Sequence, residues 1–103
     1  MNVVNLFPET DAKTALVIDP RDNVAVALAD LNAGDICQVT KEDQIVEVSV
    51  IEDVPFGHKL ALRSIGLHES VVKYGEEIGK MNAPVEQGGW IHSHNMYCER
   101  GKK

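Results

Sequence analysis

The sequence predicts a single, mainly β domain of short, bent strands, and three observations carry that prediction. Apolar residues come in short segments, several of them alternating with polar ones. Glycines are scattered between these segments where the chain must reverse within a few residues. No segment sustains a helical period beyond about two turns. The 103 residues fit one compact domain. The pattern divides them into a loose leader over residues 1–14, a β domain over 15–96 and a tail over 97–103.

The elements follow in order. "ALVI" (15–18) ends at the turn formers Asp19, Pro20, Arg21, Asp22 and Asn23. "VAVALADL" (24–31) alternates larger residues with alanine, which fits a closely packed strand, although an alanine-rich stretch also fits a helical turn. "ICQV" (36–39) and "QIVEVSVI" (44–51) read as a hairpin joined by Lys41, Glu42 and Asp43. Pro55, Phe56 and Gly57 then form a loop, and "KLALRSI", "SVVKYG" and "WIHSHNM" continue the short segments. A weak internal rhythm links "LADLNAGDICQV", "LRSIGLHESVVKYG" and "VEQGGWIHSHN", each an apolar residue, a turn and a new strand.

Composition narrows the function. An apolar fraction of 44% and a charged fraction of 25% belong to a folding globular chain. The net charge of -6 leaves no basic stripe for phosphates, so a nucleic-acid partner is not expected. The charge is uneven: residues 1–53 carry 11 acidic and 3 basic side chains, and residues 54–103 carry 5 and 7. No apolar run is long enough to span a bilayer, so no membrane partner is expected. With no secretion signal at Met1 to Pro8, and only Cys37 and Cys98 as thiols, the expectation is a cytoplasmic protein with reduced cysteines.

Three constellations carry candidate chemistry. Phe56-Gly57-His58-Lys59 sets an imidazole and an ammonium after a glycine, a pattern suited to a carboxylate with a proton-transfer group beside it, or simply to a polar surface loop. Lys73-Tyr74-Gly75 closes a strand. There Tyr74 is either a core-edge residue or a catalytic acid. In Trp90-Ile91-His92-Ser93-His94-Asn95-Met96, an extended strand puts His92, His94 and Met96 on one face. Two imidazoles side by side make an incomplete metal site, with Cys98 a poorly motivated third ligand, or else two half-exposed edge-strand residues. His68 reads as a solvent-facing turn residue. No phosphate loop, nucleophile elbow or zinc knuckle is present.

Taken together, "DNVAVALADLNAGD", "GHKLALRSI", "VVKYGEEIG" and "WIHSHN" resemble the small N-terminal domain of the altronate and galactarate dehydratase family, the SAF-type module of β-clip fold. The resemblance runs in order from Ala15 to Met96. The His92-Ser93-His94-Asn95 ending is closest to the altronate branch. In those dehydratases the module precedes a much larger domain, and the sulfolactate sulfo-lyases of the same family divide the architecture into a small and a large subunit. The resemblance therefore implies a small subunit of a β-eliminating lyase acting on a hydroxy acid, inactive alone and completed by a large subunit.

It also implies roles for individual residues. His58, Lys59 and Tyr74 would be catalytic, with Lys59, Lys73 and Asn95 binding the substrate. His92 and His94 would hold a divalent metal, expected to be Fe2+. A non-catalytic module that binds a sugar acid or a partner protein is the alternative reading, and self-association is compatible with either.

Overall fold

The structure is a computed structural model that describes residues 12–98. The leader expected up to residue 14 and the tail expected from residue 97 fall largely outside that range. The described residues form nine strands and no helix, so the mainly β class holds. They are β1 (Thr14–Val17), β2 (Val24–Ala27), β3 (Ile36–Lys41), β4 (Gln44–Ser49), β5 (Lys59–Ala61), β6 (Ser70–Lys73), β7 (Glu76–Met81), β8 (Trp90–Ile91) and β9 (Met96–Tyr97).

Six strands make one sheet in the order β4-β3-β1-β2-β5-β8, and three make a second in the order β6-β7-β9. All neighbours are antiparallel except β1 and β3, which run parallel. Alternation along the strands separates two cores. Ala15, Val17, Ala25, Ala27, Val39 and Leu60 are fully or nearly buried on one face of the large sheet. Val24, Ala61 and Ile91 point the other way and meet Val71 and Met81 of the small sheet. The small sheet is thus seated on the β2-β5-β8 end of the large one.

The internal rhythm in the sequence has a structural counterpart, and it recurs once more than the sequence indicates. Leu31, Val54, Ile65 and Val85 each form an isolated bridge, paired Leu31 with Val54 and Ile65 with Val85. After each comes the same turn, closed by backbone bonds from Asp35 N to Asn32 O, His58 N to Pro55 O, Glu69 N to Gly66 O and Gly89 N to Glu86 O. The third turn residue has positive φ in every case: Gly34, Gly57, His68 and Gly88 at 95°, 84°, 65° and 89°. This is the type II arrangement, which favours glycine there. A strand follows each turn, and two of these strands, β5 and β8, lie side by side.

Two strand expectations change. The stretch 24–31 pairs as a strand only to Ala27, after which the chain turns toward the Leu31 bridge. The segment from Trp90 to Met96 is not one strand. β8 stops at Ile91, the turn spans 92–95, and Met96 opens β9 in the other sheet. His92, His94 and Met96 therefore do not share a strand face. Asn95 is the cause: its Oδ1 accepts the His92 backbone N–H at 3.0 Å and its Nδ2 donates to Trp90 O at 2.9 Å, closing the loop on itself.

Candidate functional site

The pairing of β5 with β8 builds the site. Lys59 opposes Ile91 and Leu60 opposes Trp90. Continuing that register one step sets His58 opposite His92, and their ring centroids lie 4.3 Å apart. On one strand face, then, are His58, Leu60, Trp90 and His92. The Trp90 indole N–H donates to His58 Nδ1 at 3.1 Å, and its ring lies nearly parallel to that of His92 at 5.9 Å. His94, exposed in the turn, packs against the same indole at 4.5 Å.

Lys59 projects from the opposite face of β5, toward the small sheet, and is half-buried. Burial lowers its ammonium pKa, and the nearby Lys73 lowers it further. The pKa of His92 is lowered first by partial desolvation and then by the positive potential of His58, Lys59 and His94. The rim is thus electropositive within a chain of net charge -6. A bound carboxylate would relieve both shifts, since an opposite charge favours the protonated forms.

Lys73 and Tyr74 are set in place by a buried polar clamp. Asp22 accepts backbone N–H groups of Tyr74 at 3.1 Å and Gly75 at 2.8 Å. Asn23 accepts from Val72 N at 2.8 Å and donates to Ser70 O at 2.9 Å. The turn between β1 and β2 therefore fixes the β6–β7 hairpin where it stands. It holds Tyr74 at a φ of 60° with the residue 59% exposed, and Lys73 Nζ lies 5.1 Å from the centroid of its ring.

The structure thus brings His58 and His92 together, with His94 joined through Trp90, whereas Lys59 lies on the opposite face of β5 with Lys73 in electrostatic reach and Tyr74 joined to Lys73. Asn95 is 8% exposed with both ends of its amide engaged by the loop, which makes it a positioning group for His92. His68 is exposed, its Nδ1 3.2 Å from the Tyr97 hydroxyl. Cys98 is exposed and free.

Sequence reasoning passed over Trp90 and Asp22. The first reads as an apolar anchor and the second as an ordinary turn former. The only signal for either is the polar atom that each must satisfy when buried.

Among the described residues, no group of three or more His, Cys, Asp or Glu is placed to hold a metal ion.

Geometry and fold together define a small β module that carries a basic, imidazole-rich rim at the end of a sheet. The chain belongs to the SAF-domain family of the altronate/galactarate dehydratases, whose family model matches residues 13–99.

Its relatives are of two kinds. It is 33% identical to the (2R)-sulfolactate sulfo-lyase subunit alpha of Chromohalobacter salexigens over 82% of this chain and 94% of that one. With the same subunit of Paracoccus pantotrophus it shares 38% identity over 63% of this chain and 97% of that one. With the altronate dehydratase of Escherichia coli the identity is 45% over 72% of this chain but only 14% of the dehydratase.

Proposed function

We propose that this chain is the small subunit of a lyase that eliminates across the α and β carbons of a hydroxy acid, and that its rim forms one wall of a site closed by a larger subunit. The observation that carries the reading is the meeting of His58 and His92 across the β5–β8 pair, with Lys59 on the opposite face of β5 in electrostatic reach of Lys73. Relatives that match along nearly their whole length are named as lyase subunits, which supports a divided enzyme.

In the elimination the C–H bond next to the carboxylate breaks, its electron pair forms the carbon–carbon double bond, and the β-substituent leaves. A departing hydroxyl takes up a proton and becomes water. The proton next to a carboxylate is weakly acidic, so negative charge must be stabilised as it develops. Lys59, partly desolvated and pressed by Lys73, is suited to fix the substrate carboxylate. Lys73 reinforces the same potential. His58 or Tyr74 would move the proton.

A divalent metal, expected to be Fe2+, would supply Lewis-acid polarisation of the leaving oxygen when bound. His92 and His94 are the ligands this chain would offer, and the larger subunit would contribute the rest.

The test uses the pair reconstituted with a large dehydratase-type subunit and assayed on a panel of hydroxy acids. Lys59→Met should raise KM for the acid and lower kcat/KM by about 10²-fold, the scale of losing one charge-stabilising donor. An unchanged kcat/KM would remove Lys59 from the site.

A further inference from the structure

We infer that Trp90 is a positioning residue that holds His58 as the tautomer with its hydrogen on Nε2, so that this histidine meets the substrate as a neutral hydrogen-bond donor and not as a base. The tautomer follows from the bond at 3.1 Å between the Trp90 indole N–H and His58 Nδ1. An indole nitrogen only donates, and a neutral imidazole has one accepting nitrogen and one N–H. With Nδ1 accepting, the hydrogen resides on Nε2. Turning the ring over would set a carbon against the indole N–H and leave a part-buried donor without its partner.

Trp90 is itself held in place from several directions, its main chain by hydrogen bonds and its ring by packing. Trp90 N donates to Glu52 Oε2 at 3.0 Å, and Trp90 O accepts from Asn95 Nδ2 at 2.9 Å. The rings of His92 and His94 pack against the indole at 5.9 Å and 4.5 Å. Its anchoring therefore does not depend on His58, and the histidine adapts to the tryptophan.

Two consequences follow. A nitrogen bearing hydrogen does not ligate a metal, so His58 stands apart from His92 and His94 as a candidate ligand. The group it presents also matches an oxygen acceptor, either the substrate carboxylate or the departing hydroxyl. That second consequence rests on the reading under Proposed function, whereas the tautomer does not.

The test is made on the full chain labelled with ¹⁵N, at about pH 8.5, some two units above the ordinary histidine value. Long-range proton–nitrogen correlations should show His58 with Nε2 protonated and Nδ1 bare, and a through-hydrogen-bond coupling should join Trp90 Nε1 to His58 Nδ1. In Trp90→Phe, with the fold checked by the amide spectrum, the coupling disappears and the two His58 nitrogen shifts move toward each other as both tautomers populate. The wild-type measurement decides the matter even if that variant does not fold. Hydrogen on His58 Nδ1 in the wild type, or unchanged His58 shifts in a folded Trp90→Phe, overturns the inference.

In the reconstituted pair, Trp90→Phe should lower kcat about 10-fold with KM little changed, the scale of one misplaced hydrogen-bond donor. An unchanged kcat overturns the donor role while the tautomer stands. Failure of the composite-site reading would leave the nitrogen spectrum as it is, so the two failures are distinguishable.

Discussion

His58 and His92 are cross-strand neighbours, their rings 4.3 Å apart although 34 positions separate them in the chain. Nothing in either local motif announces the pairing, which is produced by the two-residue register of Lys59 with Ile91 and Leu60 with Trp90. The consequences reach the loop that carries His92, the turns that aim the strands and the charges behind them.

Asn95 is the hinge of that loop. Asn95→Ala removes the acceptor for His92 N and the donor to Trp90 O. It should destabilise the domain by about 1–3 kcal/mol, the penalty for buried groups left unpaired. Asn95→Asp keeps the acceptor and should recover part of the loss. Urea unfolding of the three proteins checks both.

Equivalent turn glycines should differ sharply in tolerance. Gly57 has a φ of 84° with open space around an added Cβ, so Gly57→Ala should cost only the left-handed backbone penalty of about 1–2 kcal/mol. Gly88 has a φ of 89°, and a Cβ there would collide with the backbone oxygen of Ser49. Gly88→Ala should cost about 3 kcal/mol or more, or prevent folding, because rigid backbone must move. Thermal melts of the two variants side by side decide this.

The two thiols should separate cleanly. Cys37 is fully buried with its pKa pushed up to about 11, by burial first and by Asp35 second, whereas Cys98 is exposed. A thiol reagent at neutral pH should modify Cys98 in the native protein and Cys37 only after unfolding.

Cys37 and Lys59 pull alkaline stability in opposite directions. Between 9.0 and about 11 the unfolded chain loses the Cys37 proton while the native state keeps it, so stability falls as pH rises. For Lys59, whose folded pKa lies below 10.5, the native state loses its proton first and stability rises toward that value. Lys59→Met should therefore steepen the alkaline decline and Cys37→Ala should flatten it, as read from unfolding free energies across the range.

Much of the fold was legible because its signals are local. The hairpin from Ile36 to Ser49 follows from alternation and a polar turn, where Glu42 takes a φ of 56°. The repeated turns were visible in three stretches. The fourth, Pro55 to His58, has the same backbone closure but begins at a proline, so it reads as a strand stop.

The site was legible as a residue list, not as an arrangement. His92 and His94 share an apparent two-residue period, yet Asn95 captures the His92 N–H and breaks the strand between them. Period alone cannot distinguish three extended residues from a side-chain-capped turn. Trp90 was missed because its ring looks like core, while its function in the rim comes from one nitrogen.

The composite site is tested most directly by turnover of a purified large dehydratase-type subunit on a hydroxy acid, with and without this chain. The account predicts little turnover by the large subunit alone, restoration by the wild-type chain, and a deficit of about 10²-fold or more when Lys59→Met or the double variant His92→Ala, His94→Ala is supplied instead. Full turnover by the large subunit alone, or equal restoration by those variants, would contradict it and leave the chain a scaffold.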